Sequence, residues 1–329
     1  MKRILVIHTG GTFGMVPTAP DEILAPGNIQ NQLLTHVPEI EKIARIDVKI
    51  PFNMDSSDIG VKEWNAILQL IIDSYHSYDG IVIIHGTDTM VYTASALSFS
   101  LQQLQKPVVL TGSQRPLYHL RNDARSNLID AIELATMDIP EVVIVFGQTI
   151  LRGNRAKKIS TTSYDAFESP NYPPLGSLDL KIHLNNAFIY PSRRKLKVLS
   201  GFETKASAIH ILPSTHPDYF LPLLDTGLRA IILLAFGAGN LPEFSPNWLP
   251  FIEEALQKDI AIFIGSQSIH GATDLKLYES GQKALKAGAE QLGEMTSEAA
   301  YVKLLKVLSI AQSKEEIYQK FFENWAGEF

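Results

Sequence analysis

The chain has 329 residues, of which 45% are hydrophobic and 19% are charged; its net charge is −6 and it contains no cysteine. This composition is typical of a globular protein long enough for two domains, and it excludes a disordered chain. The acidic balance disfavours nucleic acid as a partner, and the lack of cysteine excludes disulfides, thiolate nucleophiles and thiolate metal sites.

The N-terminus predicts a buried strand that runs into a glycine turn. Met1-Lys2-Arg3 is followed by an apolar run of four residues, Ile4–Ile7, which is too short for the apolar core of a signal peptide. No apolar run in the chain approaches the ~18 residues that a membrane span needs. We therefore expect a cytoplasmic protein that is not associated with a membrane.

Directly after this strand comes the stretch His8-Thr9-Gly10-Gly11-Thr12-Phe13-Gly14. Its glycines let backbone N–H groups approach a ligand closely. Thr12 lies at the mouth of the turn with a hydroxyl that can act as a nucleophile, although a turn threonine more often only hydrogen-bonds a nearby amide. Neither GxGxxG nor GxxxxGK[ST] is present, which disfavours a nucleotide phosphate site.

Strands and helices alternate through the rest of the first half, which favours a mainly parallel sheet with helices on both faces. Pro17–Pro26 is predicted to be a mobile loop and Arg152–Gly176 a long ordered loop, and Ser57 or Asp58 is expected to cap the helix that follows. The predicted strands are Ile43–Ile50, Gly80–Ile84, Pro107–Leu110 and Glu141–Phe146, and the predicted helices are Asn28–His36, Trp64–Tyr75, Met90–Leu104 and Ala124–Ala135.

The second half repeats the α/β pattern on a smaller scale. The basic, irregular segment 188–205 is the predicted linker between an N-terminal α/β domain, residues 1–187, and a smaller C-terminal α/β domain, residues 206–329. The predicted strands are Ala208–Leu212, Ala230–Leu234 and Ile260–Ile264, and the helices Pro217–Asp225 and Pro246–Gln257 precede three more. The last of these opens with a capping box, Ser313–Glu316, and is expected to bury Ile317, Phe321, Phe322 and Trp325.

Four polar segments are candidates for a small-molecule site: Gly10–Gly14, Asp55–Asp58, His85–Thr89 and Arg155–Thr162. At least the first and third follow a buried strand, and ligands of an open parallel sheet sit beyond the carboxyl ends of its strands. The chain has neither a histidine triad pattern nor HExxH, so no metal is expected.

Two interpretations remain open for the charged residues of these segments. Asp88 at a helix start is most often an N-cap, and Lys157 and Lys158 are most often solvated surface charges. Alternatively, Asp88 binds an ammonium group and a partly desolvated lysine acts as base toward the Thr87 hydroxyl. The second interpretation points to acyl transfer or hydrolysis.

Thr9–Gly14 together with His85–Met90 resembles the two signature motifs of the bacterial-type L-asparaginases, in the family order. Because no signal peptide is predicted, the chain resembles the cytoplasmic type I branch of that family. The resemblance covers nearly the whole chain. The other segments that carry it are Asp55–Asp58, Thr111–Gln114, Arg152–Arg155, Asp165–Phe167, Ser169–Asn171, Gly237–Asn240 and Gly265–Gln267.

The resemblance implies hydrolysis of L-asparagine, and weakly of L-glutamine, to the acid and ammonia without a cofactor. Thr12 resembles the family's nucleophile, which forms an acyl-enzyme that water resolves. Thr87, Asp88 and Lys158 match its second catalytic group, with a one-residue ambiguity between Lys157 and Lys158.

The resemblance also implies how the substrate is held. Ser56 corresponds to the residue that holds its α-carboxylate, and Asp88 to the one that holds its α-ammonium. Asp55 and Gly11 are expected to contact the substrate as well, and the backbone amides of Gly10–Thr12 are candidates for the oxyanion site.

The family folds as two α/β domains and assembles as homodimers or homotetramers. Asn240 resembles the residue that a neighbouring subunit contributes to the site. Two positions depart from the family: Phe13 to Asn28 contains no tyrosine, with Ile23 or Leu24 near its expected place, and Ala235 replaces an arginine that binds an allosteric asparagine in some relatives.

Two alternatives stay open. One is an amidotransferase subunit, which has the same core but adds an N-terminal domain and binds RNA; the first strand at the chain's start and the acidic charge weigh against it. The other is a non-catalytic amino-acid binding protein, which the missing tyrosine favours.

Overall fold

The computed structural model describes residues 1–18, 23–26, 33, 35–192 and 194–329, with the backbone alone for residues 15–18 and 23–26. The chain divides into two compact units, Met1–Ser200 and Gly201–Phe329. The predicted helix Asn28–His36 lies mostly outside the described residues.

The first unit contains a large sheet. Its described strands are β1 (Arg3–His8), β2 (Met15–Thr18), β3 (Ile23–Pro26), β4 (Arg45–Lys49), β5 (Gly80–Ile84), β6 (Leu101–Gln102), β7 (Val108–Thr111), β8 (Val142–Phe146), β9 (Thr149–Arg152), β10 (Lys157–Lys158), β11 (Phe167–Glu168), β12 (Gly176–Leu178), β13 (Ile182–Leu184) and β14 (Lys197–Val198). Eight of them form one sheet in the order β13-β12-β9-β8-β7-β5-β1-β4, while β2 pairs with β3, β10 with β11 and β14 with β6.

Five neighbouring strands of this sheet, β4, β1, β5, β7 and β8, run parallel, so their carboxyl ends share one edge. The described helices of the unit are α1 (Ile40–Ile43), α2 (Val61–Ser74), α3 (Met90–Ser100) and α4 (Ala124–Ala135). Residues of α1 and α4 share a hydrophobic cluster with Ile4 and Val6, and residues of α2 and α3 share another with Leu5 and Ile7. These contacts confirm the predicted parallel sheet with helices on both faces. The prediction was possible because a strand covered on both faces is apolar along its length.

The second unit has its own parallel sheet, whose described strands run in chain order: β15 (Ala206–His210), β16 (Ala230–Ala235), β17 (Ala261–Ser266) and β18 (Glu290–Gln291). Its described helices are α5 (Leu249–Gln257), α6 (Glu279–Ala287), α7 (Ser297–Leu308) and α8 (Lys314–Phe321). The core of this unit includes the fully buried Trp248. The smaller α/β domain predicted from the sequence is therefore present.

Several local predictions are wrong. Of the predicted mobile loop Pro17–Pro26, the described residues belong to β2 and β3, which pair antiparallel. The predicted ordered loop Arg152–Gly176 includes the short β10–β11 pair. The helix predicted to end near Leu104 ends at Ser100. The helix predicted at Pro217–Asp225 is present with these bounds, and it is a 3-10 helix.

Two predicted helix ends also need correction. Neither Ser57 nor Asp58 caps α2: its N-cap is Gly60, whose amide donates to Glu63. Ser313 does cap α8, as predicted, but Glu316 accepts from the amide of Gln312 instead. Phe322 is 40% exposed because α8 ends at the residue before it.

Candidate active site

The glycine turn after β1 is fastened to the loop that carries Ser56. The amide of Gly11 donates to the carbonyl of Met54 at 3.1 Å, and the amide of Met54 donates to the carbonyl of Thr9 at 3.1 Å. Thr12 is half-buried and begins a short 3-10 turn, Thr12–Gly14, whose Phe13 side chain is buried in the core. The position of Thr12 is therefore set by core packing on one side and by backbone pairing on the other.

Two glycines bring three loops into contact. A Cβ atom on Gly11, which has a φ of +79°, would lie 2.4 Å from the Cα of Gly86. A Cβ on Gly86 would lie 2.6 Å from the Oγ of Ser56, which is itself buried. Since real side chains do not tolerate such distances, only glycine allows these loops to meet, and the loops carrying Thr12, Ser56 and Thr87 are thereby packed together.

Lys158 reaches this site from β10. Its Nζ donates to the Thr87 hydroxyl at 2.8 Å and to Oδ1 of Asp88 at 2.6 Å. The Lys158 side chain is 16% exposed, whereas that of Asp88 is 64% exposed. The arrangement places a shielded cation beside a hydroxyl and leaves the carboxylate open to a solute.

The pairing of β10 with β11 determines which lysine reaches Thr87. Lys158 lies opposite Phe167 and Lys157 opposite Glu168, and successive side chains of a strand point to opposite faces. The adjacent Lys157 therefore faces away from Thr87.

Asp88 is not the helix cap that a residue of its type most often provides at this position. The N-cap of α3 is Thr89, and its hydroxyl donates to the carbonyl of Ser56 at 2.6 Å. Asp88 instead faces Lys158 near the N-terminus of α3, where the helix dipole stabilises an anion. Thr89 adds a direct bond between the His85–Thr89 loop and the Ser56 turn.

Asp55 is occupied by the turn that it begins. Its Oδ1 accepts from the amide of Ser57 at 2.8 Å and from the Ser57 hydroxyl at 2.7 Å. These bonds favour the ionised carboxylate and hold the pKa of Asp55 below its usual range. Asp55 thus shapes the turn that presents Ser56.

Gln114 follows β7 at the same edge of the sheet. Its side-chain oxygen accepts from the Thr87 hydroxyl at 3.4 Å, and its Nε2 donates to the carbonyl of Ser163 at 3.1 Å. Its amide donates to Asp123 at 2.9 Å, a buried residue that also accepts from Asn127. Asn127 in turn donates to the carbonyl of Gly112 and accepts from the amide of Gly147.

Within the described part of the chain, no group of three or more histidine or acidic residues is arranged to hold a metal ion. The same residues contain no helix that is long and apolar enough to cross a membrane. The polar groups described at the site are the hydroxyls, the Asp88 carboxylate, the Gln114 amide and the Lys158 cation.

Two family models match the chain. "Asparaginase, N-terminal" matches residues 3–190, and "Glutaminase/Asparaginase C-terminal domain" matches residues 207–321. L-asparaginase 1 of Escherichia coli K12 is 37% identical over 99% of this chain and 98% of its own length. The chain belongs to the asparaginase family. A glutamyl-tRNA(Gln) amidotransferase component from Pyrococcus abyssi is 34% identical over 100% of this chain and 77% of its own length.

Solved structures agree with this asparaginase assignment. The thermostable L-asparaginase of Thermococcus kodakarensis superposes with a TM-score of 0.93 at 31% identity, and each chain is covered to 99%. L-asparaginase I of Vibrio cholerae superposes with a TM-score of 0.89 at 35% identity, covering 100% of this chain and 99% of its own. The two-domain α/β architecture is thus that of the asparaginases.

Three further residues that the sequence singles out are Asn240, Ile23 and Leu24. Asn240 belongs to the second unit, in a turn after β16, and its Oδ1 accepts from the Ser280 hydroxyl at 2.7 Å. The backbones of Ile23 and Leu24 pair with Thr18 and Pro17, and their side chains lie outside what the structure describes.

Sequence reasoning missed the contacts that Gln114, Thr89 and Asp123 make at the candidate site. Gln114 lies in a loop after a predicted strand, and a polar loop at that edge of the sheet is itself a signal. Asp123 gives no such signal, because its contacts depend on how α4 packs. Of the three backbone amides predicted for the oxyanion site, two have partners within the protein. The Gly10 amide donates to His8 and the Gly11 amide donates to Met54, which leaves the Thr12 amide as the candidate.

Proposed function

We propose that this protein hydrolyses L-asparagine to L-aspartate and ammonia, with Thr12 as nucleophile and without a cofactor. The observation that carries the proposal is the contact of Lys158 with both Thr87 and Asp88, at 2.8 and 2.6 Å, beside the loops of Thr12 and Ser56. Membership of the asparaginase family supports asparagine as the substrate.

An amino-acid zwitterion fits the charges of the site. Asp88 is exposed, and its carboxylate has a second oxygen besides the one that faces Lys158, so it can accept from the α-ammonium group. The buried Ser56 hydroxyl, at the start of its 3-10 turn, can donate to the α-carboxylate. Charge-assisted hydrogen bonds of both kinds orient the side-chain amide toward Thr12.

The proposed reaction has two steps. Thr12 Oγ attacks the amide carbon, the C–N bond breaks, and the hydroxyl proton leaves with the nitrogen as ammonia. The resulting ester is attacked by water, which releases L-aspartate and restores the Thr12 hydroxyl. In both steps the Thr12 amide is the candidate donor to the oxyanion.

Thr87 and Lys158 are proposed to assist these proton transfers. The ammonium of Lys158 donates to Thr87 Oγ1, which favours negative charge on that oxygen when its proton moves to a neighbouring group. Asp88 balances the lysine charge when the pocket is closed by substrate. A positioned proton-transfer group of this kind contributes about 10²–10⁴ in rate.

An ammonia-release assay on L-asparagine and L-glutamine, side by side over a range of concentrations, tests the proposal. We expect turnover of asparagine and weaker turnover of glutamine, since one methylene changes the free energy of binding by only about 1–3 kcal/mol. Thr12→Val should bind asparagine in calorimetry yet lose nearly all turnover. Thr136→Val, at the C-cap of α4, should match the wild type. Normal turnover by Thr12→Val would refute the assignment of the nucleophile.

The similarity to the Pyrococcus abyssi amidotransferase component supports a second candidate function. An amidotransferase component would release ammonia only when a tRNA-bound glutamate substrate is present, so tRNA dependence of the assay would favour that function. Binding of asparagine with no ammonia release under either condition would favour a non-catalytic binding protein.

We also propose that the protein is cytoplasmic and assembles as a homodimer or homotetramer. Light scattering on the purified protein measures its assembly, and cell fractionation its location. If Asn240 completes a neighbour's site, Asn240→Ala should raise the KM for asparagine without dissociating the oligomer.

A further inference from the structure

A chain of buried hydrogen bonds lies beneath Thr87. Trp64 Nε1 donates to the Thr93 hydroxyl oxygen at 3.1 Å, Thr93 Oγ1 lies 2.8 Å from His85 Nε2, and His85 Nδ1 lies 2.7 Å from the carbonyl oxygen of Gly86. Trp64 is 5% exposed, and Thr93 and His85 are fully buried. None of these three side chains is part of the proposed reaction.

The direction of every bond in this chain is fixed by chemistry. The carbonyl oxygen of Gly86 can only accept, so His85 Nδ1 carries the proton. In the neutral ring Nε2 then accepts from the Thr93 hydroxyl, whose oxygen accepts from the indole N–H of Trp64, which can only donate. Burial lowers the pKa of His85 to about 4, so the ring is neutral at physiological pH.

The ring acts on the site through one peptide plane. The carbonyl of Gly86 and the amide of Thr87 belong to the same rigid peptide group, so fixing one fixes the orientation of the other. Gly86 also packs directly against Gly11 and Ser56. A rotation of this peptide would therefore disturb Thr87 and both loops that pack on it.

We propose that His85 is a positioning residue for the reaction. Thr93 and Trp64 hold it as the Nδ1–H tautomer, and through the Gly86 carbonyl it sets the orientation of the Gly86–Thr87 peptide and hence of the Thr87 hydroxyl. His85 does not touch the substrate. The kinetic part of this inference rests on the proposed function, whereas the tautomer does not.

Substitutions at Thr93 separate positioning from general stability. Thr93→Val keeps the shape of the side chain but removes the hydroxyl from both His85 and Trp64, whereas Thr93→Ser keeps the hydroxyl. Ser95→Ala is the matched control, because Ser95 is a buried hydroxyl of the same helix that donates to the carbonyl of Val91.

We expect Thr93→Val to lower kcat for asparagine about 10- to 100-fold, with less than a threefold change in KM, since small misplacements of catalytic groups cost about that much. Thr93→Ser should restore kcat to within threefold of the wild type, and Ser95→Ala should not change it. A folded Thr93→Val with wild-type kcat overturns the proposal. The proposal is also overturned if the fall in kcat of Thr93→Val is fully explained by a fall in its melting temperature, with Ser95→Ala as the reference.

Nitrogen NMR of the labelled wild-type protein tests the tautomer without turnover. The His85 ring should show a protonated Nδ1 and an unprotonated Nε2 at every pH from about 5.5 to 8, since its pKa lies near 4. A protonated Nε2, or titration near the ordinary histidine value, would overturn the proposal. A wild-type protein inactive on both amides would refute the proposed function, and the tautomer would still decide the inference.

Discussion

Lys158 Nζ lies 2.8 Å from the hydroxyl oxygen of Thr87, although the two residues are 71 positions apart in the chain. The contact exists because the two-residue strand β10 pairs with β11 in a register that turns Lys158, and not Lys157, toward the carboxyl edge of the large sheet. One residue of slip in that pairing would point the wrong lysine at Thr87.

The two neighbouring lysines should therefore differ sharply in their effect on catalysis. Lys158→Met removes the cation beside Thr87 and is expected to lower kcat for asparagine by about 10²–10⁴. Lys157→Met is the matched control and should stay within threefold of the wild type. Ammonia release, with melting temperatures to verify folding, measures both; comparable losses in the two variants would contradict the assignment.

Gly86→Ala should weaken the binding of substrate. The new Cβ would lie 2.6 Å from both Cβ and Oγ of Ser56, so the serine proposed to hold the substrate carboxylate must move. We expect KM for asparagine to rise at least tenfold. Gly60→Ala is the control, because its nearest contact, Glu63 Oε2, is 4.0 Å away. An unchanged KM in Gly86→Ala would show that Ser56 does not bind the carboxylate.

The stability of the fold should fall as the pH drops below 6.5. Burial lowers the pKa of His8 and of His85 to about 4, so between pH 6.5 and 4 the unfolded chain binds more protons at these rings than the folded one. Each ring then lowers the free energy of unfolding by about 3 kcal/mol across that window. The partly exposed Asp130, whose pKa burial raises to about 6, works in the opposite direction and offsets part of the loss.

Urea unfolding at pH 4.5, 5.5 and 6.5 measures this dependence. His8→Asn removes one of the two rings but keeps an acceptor for the Gly10 amide, which now donates to His8 Nδ1. Its free energy of unfolding should depend less steeply on pH than that of the wild type. Equal slopes for the two proteins would mean that His8 binds protons to the same extent in the folded and unfolded chains.

The dependence of rate on asparagine concentration should be hyperbolic. Ala235, the last residue of β16, is fully buried and carries only a methyl group. A methyl group cannot bind a carboxylate, so allosteric activation by asparagine through an arginine at this position is not expected. Initial rates over a wide concentration range decide the matter: a sigmoidal curve would show that a second asparagine binds elsewhere.

Apolar patterning predicts those parts of the fold that local sequence controls. Strands β1, β5 and β8 are continuous apolar runs because both faces of the sheet are covered. The end of α3 was missed because Leu101 and Gln102 pair with Val198 and Lys197, almost a hundred residues away. Phe322 was misplaced because the helix ends at Phe321, whereas the predicted buried positions extend to Trp325.

The sequence predicts some residues of the candidate site but not others. Its hydroxyls and Asp88 stand in motifs that follow strands, so the sequence places them at one edge of the sheet. The choice between Lys157 and Lys158 was not decidable from residues alone, since it depends on the register of β10 with β11. The hydrogen bond between Thr93 and His85 could not be predicted from the sequence either, because it joins a helix interior to a loop.

Asp123, the N-cap of α4, and Asn127, one turn further along the helix, also bear on how the site moves. Between them they accept from the amides of Gln114, Arg115 and Gly147, which belong to loops after two different strands. These amides are protected by a single helix turn, so they should exchange with solvent deuterium at one common rate. Fraying of that turn would release the Gln114 loop and the Gly147 turn together, as one cooperative opening beside the Thr87 hydroxyl.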